Sequence, residues 1–183
     1  MRTPARTRRT RRTPSALTAS GCALLLALSV SGCGDGEGEM LPVAKDREAV
    51  ALFLEKHVGC QDTDYYVGEE LLEFRAQVSY AVDSAGECDV SDDIDIDFLH
   101  FTSLGDFQKD VANSEIADDT GLMVGTTFAV DADNEENAKA LLDAGLLYLV
   151  CEPGVDIPST YRQDEGEAGC VLTDYAREEP EDQ

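Results

Sequence analysis

The chain has 183 residues, with 38 acidic side chains against 14 basic ones and a formal charge of −24. A surface of that sign repels nucleic-acid phosphates and anionic headgroups, which sets DNA and RNA aside as partners. It favours solubility and draws in cationic proteins, peptides or ions.

Arg2, Arg6, Arg8, Arg9, Arg11 and Arg12 open the chain with no acidic residue among them, and a run of Ala, Leu, Val and small residues follows from Ala16 to Val30. A basic head, a short apolar core and a small-residue exit predict a secretory signal. The run falls short of the ~20 apolar residues that a helix needs to cross a bilayer.

At the exit stands Val30-Ser31-Gly32-Cys33, which resembles the lipobox of bacterial lipoproteins: an aliphatic residue, two small ones, then Cys. The resemblance implies that residues 1–32 are a signal peptide cut before Cys33, whose thiol carries a diacylglyceryl group built from chains such as palmitate. Each buried methylene contributes ~0.8 kcal/mol, and two acyl chains hold a protein stably where one holds it only marginally. A rival, Ala19-Ser20-Gly21-Cys22, precedes Ala23 to Leu28 and would leave too little apolar core upstream. The arginine pairs are similar to twin-arginine signals, but Thr13 and Pro14 follow Arg11-Arg12, so the general secretory route is expected. Loss of the six leading arginines leaves eight basic residues against the same 38 acidic ones, a formal −30. The expected location is the extracytoplasmic face of the cell membrane, held there by lipid.

Residues 33–45, rich in Gly and Glu, predict a flexible, self-repelling acidic tether. Asp46 suits a helix cap, and Val50, Phe53, Leu54 and His57 at i, i+3, i+4 and i+7 predict a helix over 47–58 stopped by Gly59. Leu72 to Val82 alternates apolar with mostly polar residues and predicts a half-buried strand, with a helix through Leu71, Phe74 and Val78 as the alternative. Residues 83–92 read as a polar loop. The stretch 93–102 alternates again, with Leu99 and Phe101 apolar where the polar face should be, so both sides are expected to be covered. Ser103, with Asp106 three positions on, predicts a capped helix bearing Leu104, Phe107 and Val111. Leu122 to Val130 predicts one strand, and Asp133 with Glu136 a capped helix ending at Gly145. Residues 146–151 predict a covered central strand, and residues 170–174 a short edge strand. This order predicts an α+β domain over residues 46–175, a single two-layer sandwich of four to five strands and three helices. Residues 176–183 are expected to be a disordered acidic tail.

Cys60, Cys88, Cys151 and Cys170 remain beyond the signal region, and an even number in an exported chain predicts two disulfides. Three connectivities are open. The local one, Cys60 with Cys88 and Cys151 with Cys170, ties the first helix to a later loop and closes the loop after residue 151.

No catalytic, metal or cofactor constellation emerges, and no cofactor is implied. His57 and His100 both fall on apolar faces, and no G-x-S-x-G stretch accompanies either. Asp93-Ile94-Asp95-Ile96-Asp97 and Asp131-Ala132-Asp133-Asn134-Glu135 open like calcium loops, but lack Gly at the sixth position and Glu at the twelfth. Asp93, Asp95 and Asp97, spaced ~6.5–7 Å apart on one strand face, form a loose cation patch if Glu73 or Arg75 lies on a neighbouring strand. The expected role is a non-enzymatic binding or interaction module. A small surface hydrolase using His100 and an acidic divalent-cation-binding envelope protein are the alternatives.

Overall fold

The computed structural model describes residues 40–91, 94–114, 116–117 and 121–176. The signal segment, Cys33, residues 34–39, Asp93 and the tail from residue 177 lie outside the described residues. Among the described residues there are eight strands: β1 (Gln61–Tyr65), β2 (Val82–Ser91), β3 (Ile94–Phe101), β4 (Leu122–Val124), β5 (Phe128–Asp131), β6 (Leu147–Val150), β7 (Gln163–Glu165) and β8 (Val171–Thr173). They make one sheet in the order β1-β2-β3-β5-β4-β6-β8-β7, antiparallel at every pairing. The helices are α1 (Arg47–Val58), α2 (Glu69–Gln77), α3 (Leu104–Val111) and α4 (Glu135–Asp143).

The α+β class holds, but the expected two layers and four to five strands do not: the sheet has eight strands and is covered on both faces. Successive strand residues point to opposite sides, and here both sides are apolar. Ile96, Phe98, Met123, Phe128, Val130 and Tyr148 pack with Val50 and Leu54 of α1 and Ala138 and Leu141 of α4. On the other face Leu99, Phe101, Val124, Ala129, Leu147 and Leu149 pack with Phe107 and Val111 of α3, and Leu71 and Phe74 of α2 lie against them. Phe101 and Phe107 stack with ring centroids 4.5 Å apart. The doubly apolar end of β3 and the apolar run 146–151 were the signs of this second cover in the sequence.

Helix α1 matches its predicted span. The Asp46 carboxylate accepts from the Ala49 N–H at 2.9 Å, and Gly59 ends the helix at φ 77. α3 also follows its cap, with Ser103 Oγ accepting from the Asp106 N–H at 3.2 Å. α4 is capped one residue later than expected, by Asn134 accepting from the Asn137 N–H.

Several segments depart from expectation. The strand predicted through Leu72 to Val82 is helix α2 over most of its length. Leu71, Phe74 and Val78 turn toward the second core while Leu72 is 64% exposed, so the helical spacing outweighs an alternation that is satisfied only by chance. The predicted loop at 83–92 belongs to strand β2, whose buried positions after Val82 are the small residues Ala85, Gly86 and Cys88. Their size hides the pattern and has a physical cause: a Cβ on Gly86 would overlap the Asp64 carbonyl oxygen of β1 and come within 3.0 Å of Phe98. The predicted strand 122–130 breaks into the hairpin β4–β5. A side chain on Gly125 would meet Phe128 and the Pro42 carbonyl.

The end of the expected tether is engaged by that hairpin. Thr126 N–H donates to Pro42 O at 2.7 Å, Thr127 Oγ1 donates to Ala44 O at 2.6 Å, and Ala44 is buried. At the other end of the sheet order, β8 lies inside the edge strand β7.

The disulfides are Cys60–Cys88 and Cys151–Cys170, with Cα atoms 5.6 and 4.1 Å apart. The first ties the exit of α1 to β2, and its half-cystines spaced 28 residues apart restrict a long loop in the unfolded chain. Replacing both of these cysteines by serine is expected to lower the unfolding free energy by about 3–4 kcal/mol, read as a shifted midpoint in guanidinium titration.

Candidate functional site

The β1–β2–β3 end of the sheet gathers carboxylates. In register across the three strands, Asp64 faces Glu87 and Glu87 faces Asp97, while the next row sets Asp89 opposite Asp95. Like charges placed directly across a ladder repel, so this end of the sheet carries an electrostatic cost that the apolar cores offset.

One phenol eases the first row. Tyr66 Oη–H lies 2.5 Å from Asp97 Oδ1 and 3.1 Å from Glu87 Oε2, so a single proton sits between two carboxylates. Burial, and next the hydrogen bond to Asp97, push the Tyr66 hydroxyl far above its ordinary value. Its ring packs 5.3 Å from Phe74 of α2, which couples the acidic rows to the second core.

Among the described residues the second row has no such donor. The Asp89 carboxyl is raised from its ordinary value, first by loss of surrounding water, then by the Asp95 carboxylate and a hydrogen bond with it, and then by Asp62. Asp62 stands at a bulge in β1 with φ 41, which turns its side chain out of the ladder pattern.

On the other face of this end of the sheet, the α1 side, runs a groove of about 500 Å³ between α1 and β1, with Ala51, Leu52 and Tyr65 on its walls and Glu48, Glu55 and Asp62 among its polar lining. The Arg47 guanidinium lies 4.4 Å above the Tyr65 ring and fixes that wall by cation–π attraction. A second groove, of about 920 Å³, lies between the C-terminal ends of α2 and α3. There Ser79 Oγ–H and Ala81 N–H donate to Asp110 at 2.7 and 3.1 Å, and an Arg75 N–H donates to Tyr80 O at 2.8 Å. These bonds join the end of α2 to α3 and use up the Asp110 oxygen that accepts both.

The histidines are apart from both grooves. His100 Nδ1 sits 4.0 Å from Asp83 Oδ2, and its strand neighbours across the ladders are Ser84 and Phe128. Ser103 serves as the α3 cap. His57 packs 4.5 Å from Phe53, and burial followed by the charge of Lys56 lowers its affinity for a proton.

Of the expected cation patch, Asp95 and Asp97 do share a face, and Asp93 lies outside the described residues. Glu73 and Arg75 belong to α2 rather than to a neighbouring strand. Among the described residues no group of three His, Cys, Asp or Glu side chains is arranged to hold a metal ion. The sequence reading missed Asp62, Asp64, Glu87 and Asp89 because it missed β1 and placed β2 in a loop. The alternation of Asp62-Thr63-Asp64-Tyr65 was the available signal.

No family model, no curated protein and no solved structure matches this chain.

The raised Asp89 carboxyl makes a signed prediction. The folded state holds this proton more tightly than the unfolded one, so the group favours the fold below its unfolded value, and that benefit is lost as pH rises through the folded value. Asp89→Asn is expected to be more stable than the parent at pH 7, with the gain vanishing below about pH 4, where Asp is protonated anyway. Urea titrations of both proteins at the two pH values measure it.

Proposed function

We propose that this chain is a membrane-anchored extracytoplasmic lipoprotein whose α+β domain is a non-enzymatic binding module for a cationic partner. The observation that carries the reading is Val30-Ser31-Gly32-Cys33 at the exit of a basic-then-apolar leader. Two disulfides are consistent with an oxidising compartment. The opposed carboxylates on β1, β2 and β3 supply the charge that selects the partner. Among the described residues no helix is long and apolar enough to cross a membrane, so attachment in this reading rests on the lipid at Cys33.

The test is to express the full chain in a bacterium that processes lipoproteins and to feed it labelled palmitate. The parent and a Cys22→Ala variant should carry the label in the membrane fraction, with Cys33 as the first residue by mass spectrometry. Cys33→Ala should lose the label. A parent that keeps residues upstream of Cys33, or carries no acyl group, overturns the anchor.

A further inference from the structure

The antiparallel ladder shows which groups of β1 are free. Hydrogen-bonded and non-bonded pairs alternate along such a ladder. Tyr66 N–H donates to Ala85 O at 3.1 Å, so Tyr66 and, two residues earlier, Asp64 turn their backbone groups toward β2. Thr63 and Tyr65, paired in register with Cys88 and Gly86, therefore turn theirs outward. β1 is the edge of the sheet order, and no described strand takes up those groups.

Next to this open edge lies the α1–β1 groove. Its walls combine apolar surface, Leu52 being 64% exposed, with Glu48, Glu55 and Asp62. An edge strand alone attracts any extended chain, and natural proteins blunt such edges with charge and bulges. Here Glu48, Glu55 and Asp62 outnumber Arg47, which pairs with Glu48 and lies over Tyr65, so the blunting charge is acidic in balance, and the Asp62 bulge stops short of Thr63. Such an edge rejects a second copy of this acidic chain and admits a basic one.

We propose that the β1 edge and the α1–β1 groove form a docking site for an extended Lys/Arg-rich polypeptide segment, which adds to the sheet as a ninth strand. The bound segment pairs its backbone with the outward groups of Thr63 and Tyr65. Alternate side chains then point to opposite sides of the sheet. Those on the α1 side lay their apolar parts against Leu52 and Ala51 and bring cationic heads to Glu48 and Glu55. This site rests on the proposed binding role and names its place and partner chemistry.

The test uses the full chain and a short fluorescent peptide of alternating Lys and Val, with a twin whose backbone is N-methylated along the pairing edge. The plain peptide is expected to bind, with shifts and slowed exchange at the Thr63 and Tyr65 amides by NMR, and the methylated twin to bind at least about tenfold more weakly. Glu48→Lys with Glu55→Lys, both exposed helix positions, should weaken binding by about tenfold or more. Asp156→Lys with Glu165→Lys, an equal change of charge placed outside the groove, should alter it by less than about twofold.

Equal binding of the two peptides, or shifts confined to the Asp89 and Asp95 region, overturns the groove site while leaving a cation-binding domain standing. Failure of any cationic peptide to bind overturns the cationic partner as well.

Discussion

Water has to be kept from both faces of the middle of this sheet. Phe98 and Phe101 on β3, Phe128 on β5 and Met123 on β4 are fully buried, yet they point to opposite sides. Burying a large apolar side chain contributes about 1.5–3 kcal/mol, and a strand that buries both of its faces cannot give either to solvent. The rest of the architecture follows from this. α1 and α4 must take one side and α2 and α3 the other. Polar strands are left for the ends of the sheet order, where cover thins out.

The acidic end follows in turn. β1 has a polar sequence, and only Thr63, Tyr65 and the neighbouring Tyr66 keep partial burial. Repulsion between Asp89 and Asp95 is tolerable there because the strands are already held by the central core and by the Cys60–Cys88 bridge. Tyr66 moderates the other row by lending one proton to two carboxylates.

Much of the fold was legible from the chain itself. α1 declared its start at Asp46 and its stop at Gly59, because caps and helical spacing are local signals. β3, α3 and β6 were legible for the same reason. What stayed hidden depended on distant contacts. Gly86 belongs in a strand because β1 passes close by, which its own neighbours in sequence do not reveal. Gly125 turns the chain because Pro42 and Phe128 fill the space beside it. α2 carried two patterns at once, and the choice between them was made by the core under Leu71 and Phe74. The acidic rows were invisible for the same cause, since strand register alone puts Glu87 opposite Asp97.

Native-state hydrogen exchange tests the central claim most directly: a sheet sealed on both faces at its middle and open at its acidic edge. Amides that bond between β3 and β5 and between β4 and β6 should exchange only through global unfolding, and those of Thr63 and Tyr65 should exchange through local exposure, orders of magnitude faster. Thr63 and Tyr65 amides as slow as those of the central strands would contradict the account, as would central amides that exchange through local opening.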